Sequence, residues 1–192
     1  MQRRKQLISQ IVELELTMFL SVPTSHIYRC QEDANNFRLH RRAQFAAWSV
    51  STLESYLIDL QSAKNDGRNL MTAKYARMDN LLPCQNTCHL IDIIIDLALA
   101  GQKEFVVSYP NLMRRGRPLV TEDDSAGLTS FETYLRGELE TYSEKTLEHL
   151  HDDILILNQS GSSLSEAIYK ELALQWGFHS LEELETHLMR YN

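Results

Sequence analysis

The longest apolar run of the chain is LIDIIIDLALA, residues 90–100. A helix needs about 20 apolar residues to cross a bilayer, so this run is too short to span one. It also carries two carboxylates, Asp92 and Asp96. The run therefore predicts a buried helix and gives no indication of a membrane role.

Helical periodicity continues on both sides of this run. Apolar residues recur at spacings of three and four, which predicts helices at about 2–20, from 33 onward, and at 53–60, 69–82, 87–107, 130–158, 164–176 and 181–191. Strand-like alternation is nearly absent; residues 105–107 are the best candidate and a weak one. Residues 109–128 form one long irregular loop rich in Gly, Pro, Arg and Asp, a length typical of lids and binding loops. The sequence thus predicts an all-α protein, with residues 1–192 forming a single orthogonal, bundle-like domain of about seven helices.

Composition narrows the class of protein. A chain of 192 residues with 43% hydrophobic and 23% charged residues fits one globular domain. The net charge of −7 argues against a general nucleic-acid binder, and the short basic clusters at 3–5 and 114–117 are interpreted as solvated surface charge. Three cysteines without a secretory segment indicate a reducing, cytoplasmic location. The sequence specifies no cofactor, and it leaves homo-oligomerisation open.

The first candidate site lies on the helix that follows residue 33. Phe37, Phe45 and Trp48 set its apolar face, and Arg41 and Gln44 are spaced by four from two of these aromatics. Residues three and four apart are neighbours on a helix, so both polar side chains are predicted to face inward. A buried guanidinium requires a carboxylate or an anionic ligand. The alternative is that Arg41 extends its head to water over an apolar stem.

The helix beginning at residue 130 repeats this pattern with the opposite charge. Glu138 lies between Leu135 and Tyr142 at spacings of three and four, and Tyr134, Glu138 and Tyr142 form one row. This spacing predicts an inward-facing carboxylate flanked by two phenols. Gly137 costs about 1 kcal/mol in a helix relative to Ala, so its presence suggests that a backbone or a ligand approaches closely there.

The third candidate segment is NLMTAKYARM, residues 69–78. Lys74 and Tyr75 are adjacent at the edge of an apolar face, where they could hold an anionic group together with Asn69. Lys74 could also act as a base if burial lowered its pKa. The alternative interpretation is an ordinary amphipathic helix boundary.

Cysteine and histidine patterns give weaker signals. Cys30 precedes a helix N-terminus, an environment that lowers a thiol pKa, and is the best nucleophile candidate among the cysteines; an inert thiol is the alternative. Cys84 and Cys88 lack the second pair of ligands that a structural zinc site needs. We therefore predict no metal site.

Several of these segments together resemble a family of uncharacterised bacterial proteins that carry a domain of unknown function. The resemblance is carried by ELTMF at 15–19, CQED at 30–33, Arg41 with QF at 44–45, GRNLM at 67–71, KYARM at 74–78, and ETYLRGEL at 132–139 followed by TYS at 141–143. It spans most of the chain. It implies a fold shared by small intracellular proteins and no settled activity.

Two hypotheses about function remain open. In the first, an enzyme or binding protein has an interior polar pocket for a small anionic metabolite, covered by the loop at 109–128. Arg41 or Lys74 would hold a carboxylate or phosphate, Glu138 would be a general base, and Tyr142 would donate a proton or orient the ligand. The candidate catalytic residues are Glu138, Tyr142 and Lys74, and the candidate binding residues are Arg41, Gln44, Tyr75, Tyr134, Asn69 and Cys30.

In the second hypothesis the chain is a non-catalytic interaction module. Arg41 and Glu138 then form a buried structural pair, and the acidic surface meets a basic partner. A roomy concave space beside the pair, lined by unpartnered Tyr and Gln groups, would favour the first hypothesis. A filled and fully hydrogen-bonded interior would favour the second.

Overall fold

The computed structural model describes residues 1–23, 33–125 and 127–191. Within these ranges the protein is all-helical, with ten α-helices and no strand; its one β-bridge joins Ser125 and Leu128. The helices are α1 Gln2–Leu20, α2 Ala34–Ala46, α3 Val50–Asn65, α4 Leu70–Met78, α5 Leu90–Ser108, α6 Pro110–Met113, α7 Phe131–Leu139, α8 Glu144–Gln159, α9 Leu164–Gln175 and α10 Leu181–Tyr191. No helix of this described part is long and apolar enough to cross a membrane.

The number of helices exceeds the predicted count of about seven because one of the eight helical segments located in the sequence is divided in two and the predicted loop contains a further short helix. The segment expected to form one helix over 130–158 is two helices, and Ser143 between them caps α8 by accepting a hydrogen bond from the Thr146 amide. The loop predicted at 109–128 contains the short helix α6 and a 3-10 turn, Thr121–Asp123. Helix α5 is continuous through Gly101.

One large apolar core lies where α1, α3, α5 and α8 pack together. At its centre the rings of Phe45, Trp48 and Tyr56 contact one another, with centroids 4.9–5.8 Å apart. A smaller core around Phe105 and Leu184 joins α5, α9 and α10. The first core is the one that surrounds the candidate site.

Helices α3 and α8 cap each other. The Asp153 carboxylate of α8 accepts hydrogen bonds from the Ser49 amide at 2.8 Å and the Thr52 hydroxyl at 2.6 Å, at the start of α3. In return, the Asp59 carboxylate of α3 accepts from the Ser143 amide at 3.0 Å, at the start of α8. A carboxylate at a helix N-terminus satisfies free amides and complements the helix dipole. These reciprocal bonds fix the antiparallel register of the two helices.

The chain before α7 is fastened to the N-terminus of that helix. The first two amides of α7, those of Phe131 and Glu132, donate to the carbonyls of Pro118 and Leu119 at 2.7 and 3.1 Å. Asp124 accepts from the Ser130 amide at 2.6 Å. Amides at this end of a helix have no partner within the helix, so these bonds hold α7 in place.

Candidate functional site

Four ionisable side chains meet in the interior where α1, α2, α4 and α7 converge. They are Glu15, Arg41, Lys74 and Glu138, which we call the charge cluster. None is more than 5% exposed. With two cations and two carboxylates, the cluster is neutral. Compensation of this kind is what makes burial of charged groups tolerable.

Glu138 of α7 is the centre of the cluster. Four side chains donate hydrogen bonds to its carboxylate: Arg41 at 3.0 Å, Gln44 at 2.7 Å, Lys74 at 2.6 Å and Tyr142 at 2.6 Å. An ionised carboxylate offers about four lone-pair positions. The accepting capacity of Glu138 is therefore fully used by groups of the protein.

Arg41 joins this carboxylate to a second one on α1. Its Nε atom donates to Glu15 at 2.7 Å, and its Nη1 atom donates both to Glu138 and to the Gln44 carbonyl oxygen, the latter at 2.6 Å. The Tyr56 hydroxyl donates to Glu15 at 2.6 Å. The planar guanidinium thus links α1, α2 and α7 through charge-assisted bonds, the strong class of protein hydrogen bond.

Electrostatics favour the charged forms of Glu138 and Lys74. Burial alone would raise the pKa of Glu138, but Arg41 and Lys74 outweigh it and hold that pKa far below its ordinary value. Burial opposes the charge of Lys74, yet the Glu138 carboxylate raises the pKa of the ammonium. Burial and the adjacent Glu138 both raise the pKa of the Tyr142 hydroxyl. At neutral pH the acid and the amine are ionised and the phenol is protonated.

Tyr134 lies beside the cluster, between two cations. The Lys74 ammonium is 3.6 Å from the centre of its ring, and the Arg117 guanidinium is 4.6 Å from the same centre. Both distances are within the range of cation–π attraction. Through Arg117, the segment that precedes α7 contacts the ring next to the buried lysine.

Gly137 marks a close crossing of α4 and α7. A Cβ atom at this position would lie 2.8 Å from the Met78 Cγ atom and 3.3 Å from the Lys74 carbonyl oxygen. The close approach suggested by this glycine in the sequence is therefore that of a neighbouring helix. It brings Lys74 within hydrogen-bond distance of Glu138, one residue further along α7.

A surface groove lies beside these two helices. Its volume is about 840 Å³, within the usual range for small-molecule sites. Ala73 and Arg77 of α4, and Gly137, Glu140 and Thr141 at and after the end of α7, form part of its wall. Its remaining lining comes from residues 59, 62, 67–70, 72, 82–83, 85–86 and 142–143.

The structure brings together most of the site residues predicted from the sequence. The charge cluster and its neighbours contain seven of them: Arg41, Gln44, Lys74, Tyr75, Tyr134, Glu138 and Tyr142. Tyr75 is at the edge of this group, with its ring centroid 5.8 Å from the Lys74 ammonium and 6.0 Å from the ring centroid of Phe19. Their catalytic or binding roles stay predictions.

The other two predicted residues are Asn69 and Cys30. Asn69 caps α4, donates to the Met18 carbonyl and lines the groove. Cys30 falls outside the described residues.

Sequence reasoning missed Glu15 and Tyr56 as members of the site. A signal for Glu15 was present, because it follows Ile11 by four residues and precedes Met18 by three, which places it on an apolar face. Tyr56 gave no such signal, since a tyrosine in an apolar stripe is ordinary core. As for metals, the described residues hold no group of three or more His, Cys, Asp or Glu placed to bind an ion.

The fold and this site define an all-helical protein organised around a neutral, buried charge cluster. A family model described as a protein of unknown function, DUF4125, matches residues 5–186, so the chain belongs to that family. The predicted resemblance to a domain-of-unknown-function family is thereby confirmed. Neither a curated protein nor a solved structure matches the sequence.

Proposed function

We propose that this protein is a non-catalytic helical binding module. In this proposal the charge cluster holds α1, α2, α4 and α7 in a fixed arrangement, and the surface groove beside α4 and α7 receives the ligand. One observation carries the proposal: the carboxylate of Glu138 is saturated by donors from Arg41, Gln44, Lys74 and Tyr142. A saturated group has no position left for a ligand.

The protonation states support a fixed role for the cluster over an acid–base role. A general base works best when its pKa lies near the working pH, whereas the pKa of Glu138 is held far below its ordinary value by Arg41 and Lys74, against the effect of burial. A nucleophilic lysine must lose its proton, and Glu138 stabilises the proton of Lys74 against desolvation. These directions oppose the predicted catalytic roles.

The groove offers both signs of charge to a ligand. Arg68 and Arg77 line it together with Asp59 and Glu140. Arg77 is tied to Glu140 at 2.6 Å, while Arg68 pairs with Asp66 and both partners are more than half exposed. An exposed pair contributes little free energy, so Arg68 can exchange its partner at small cost. A small polar molecule carrying a carboxylate or phosphate suits this lining.

Thermal-shift screening tests the proposal. A library of carboxylates, phosphates, nucleotides and amino acids is screened with the wild-type protein, since any ligand of the native state raises the apparent stability. Each compound that binds is then tested on Ser62→Trp, which places an indole in the groove. Gln61→Trp is the matched control, because Gln61 is also exposed on α3 but does not line the groove.

The charge cluster is tested with the double variant Lys74→Met/Glu138→Gln, which removes one charge of each sign. The proposal expects a ligand to lose its stabilising effect on Ser62→Trp and to keep it on Gln61→Trp. On the double variant the effect should be weakened but not lost, because the Lys74–Glu138 bond that helps to position the groove walls is absent. If a ligand no longer stabilises the folded double variant but still stabilises Ser62→Trp, the binding site lies in the charge cluster and the proposal is overturned.

A further inference from the structure

A turn after α6 presents three arginines to solvent. Arg114, Arg115 and Arg117 are exposed around Gly116, in a chain with 26 acidic and only 19 basic residues. Such a local concentration of positive charge stands out against the net charge of −7. We call residues 114–117 the arginine turn.

Two members of this turn differ from most other arginines of the protein in their partners. Among the described residues, ion pairs with carboxylates are formed by Arg3, Arg38, Arg41, Arg68, Arg77 and Arg136. Within the described ranges, no carboxylate oxygen lies within 4.0 Å of Arg115 or Arg117. Acidic residues are plentiful in this chain, yet none of those described neutralises these two guanidinium groups.

The arginine turn is held in one conformation. The Gly116 amide donates to the Met113 carbonyl at 2.8 Å, and a Cβ atom on Gly116 would lie 2.9 Å from that oxygen. Met113 packs against the smaller core. Arg117 is fixed from the other side, because it donates to the Thr129 carbonyl at 2.9 Å and lies over the ring of Tyr134.

Helix α6, which leads into the turn, is anchored by α10. Both carboxylate oxygens of Glu185 accept hydrogen bonds from the first amides of α6, those of Asn111 and Leu112, at 2.8 Å. The exposed arginines therefore project from an ordered base. Pre-organised groups lose less conformational entropy on binding than flexible ones.

We propose that the arginine turn is a docking site for an acidic segment of a partner protein, a short run of Asp and Glu. Guanidinium groups bind carboxylates with two parallel hydrogen bonds, and several arginines in one turn match several successive carboxylates. A nucleic acid fits less well, because its affinity comes from many phosphate contacts spread along a basic surface, and this turn is short on an acidic protein. The proposal is independent of the ligand groove.

Fluorescence anisotropy with a labelled oligoglutamate peptide tests this site. The wild-type protein is expected to bind the peptide, with an affinity that falls as salt is added, and to leave an oligoglutamine peptide unbound. Arg115→Gln/Arg117→Gln is expected to bind about tenfold more weakly, because two ion pairs are lost. Lys5→Gln/Arg42→Gln removes the same charge from exposed positions elsewhere and is expected to bind like the wild type.

Three results would overturn the proposal. The first is an equal loss of affinity in the two double variants, since net charge alone would then explain binding. The second is tighter binding of a single-stranded oligonucleotide than of oligoglutamate. The third is the absence of any binding of oligoglutamate to the folded wild-type protein at low salt.

Discussion

Replacing Glu138 by glutamine perturbs the charge cluster most directly. The substitution keeps the shape of the side chain but removes its negative charge, which leaves the buried Arg41 and Lys74 with only Glu15 to balance them. The new amide also places a donor or a weaker acceptor 2.6 Å from the Lys74 ammonium. Breaking a buried pair by removing one partner typically costs about 3–5 kcal/mol, and we expect a loss of that size.

The measurement is chemical denaturation followed by circular dichroism, which gives the free energy of unfolding by linear extrapolation. Glu13→Gln is the matched control, because Glu13 pairs with Arg38 at the surface and its side chain is 50% exposed. Exposed pairs contribute roughly 0–1 kcal/mol, so this control should stay within that range of the wild type.

The double variant Lys74→Met/Glu138→Gln keeps the test decisive if Glu138→Gln fails to fold. It restores neutrality in the interior, since the pair Arg41–Glu15 remains. Stability should recover by about 2 kcal/mol or more relative to Glu138→Gln, which a denaturation curve or the yield of folded protein would report. The reasoning would be refuted if Glu138→Gln lost no more free energy of unfolding than Glu13→Gln.

Three further predictions concern acid, capping and helix crossing. Because Arg41 and Lys74, against burial, hold the pKa of Glu138 far below its ordinary 4.5, the unfolded chain takes up a proton below pH 4.5 that the native protein does not. The stabilisation that ionised Glu138 contributes is complete above that pH and falls by about 1.4 kcal/mol per pH unit below it. The acid denaturation curve of Glu138→Gln should lack this contribution. Asp153→Asn should lose about 1 kcal/mol through weaker capping of α3, whereas Asp152→Asn, on an exposed side chain, should unfold at the wild-type denaturant concentration. Gly137→Ala should lose about 1–3 kcal/mol by overpacking against Met78 despite its better helix propensity; a wild-type or higher midpoint would show that the crossing can relax.

Local spacing was sufficient to find most members of the site. Arg41, Gln44 and Glu138 were predicted to face inward because each is three or four residues from apolar neighbours on its own helix. That they meet does not follow from spacing, because the Arg41–Glu138 contact joins residues 97 positions apart. Periodicity fixes which face of a helix is buried, but it does not specify which other helix covers that face.

The prediction of helix boundaries was wrong where capping overrides hydrophobic periodicity. The apolar stripe of α7 continues in phase through Tyr142 and Thr146, so spacing alone predicted one helix over 130–158. The chain turns instead at Ser143, whose hydroxyl caps α8 and whose amide is bound by Asp59 from another helix. The first of these signals is local and was available in the sequence. The second is a tertiary contact, and it explains why the break occurs there.

Helices α4 and α7 each present one face to the charge cluster and another to the groove, and this arrangement connects stability with binding. Lys74 faces inward while Ala73 and Arg77 line the groove, and Glu138 faces inward while Gly137 and Thr141 line it. The distance between the groove walls therefore depends on the Lys74–Glu138 bond and on the missing side chain of Gly137. A chain that needed only stability could replace the Lys74–Glu138 pair with apolar side chains at little or no cost in free energy of unfolding. Directional bonds between buried charges instead fix how the two helices cross, and a groove with a defined shape requires that constraint.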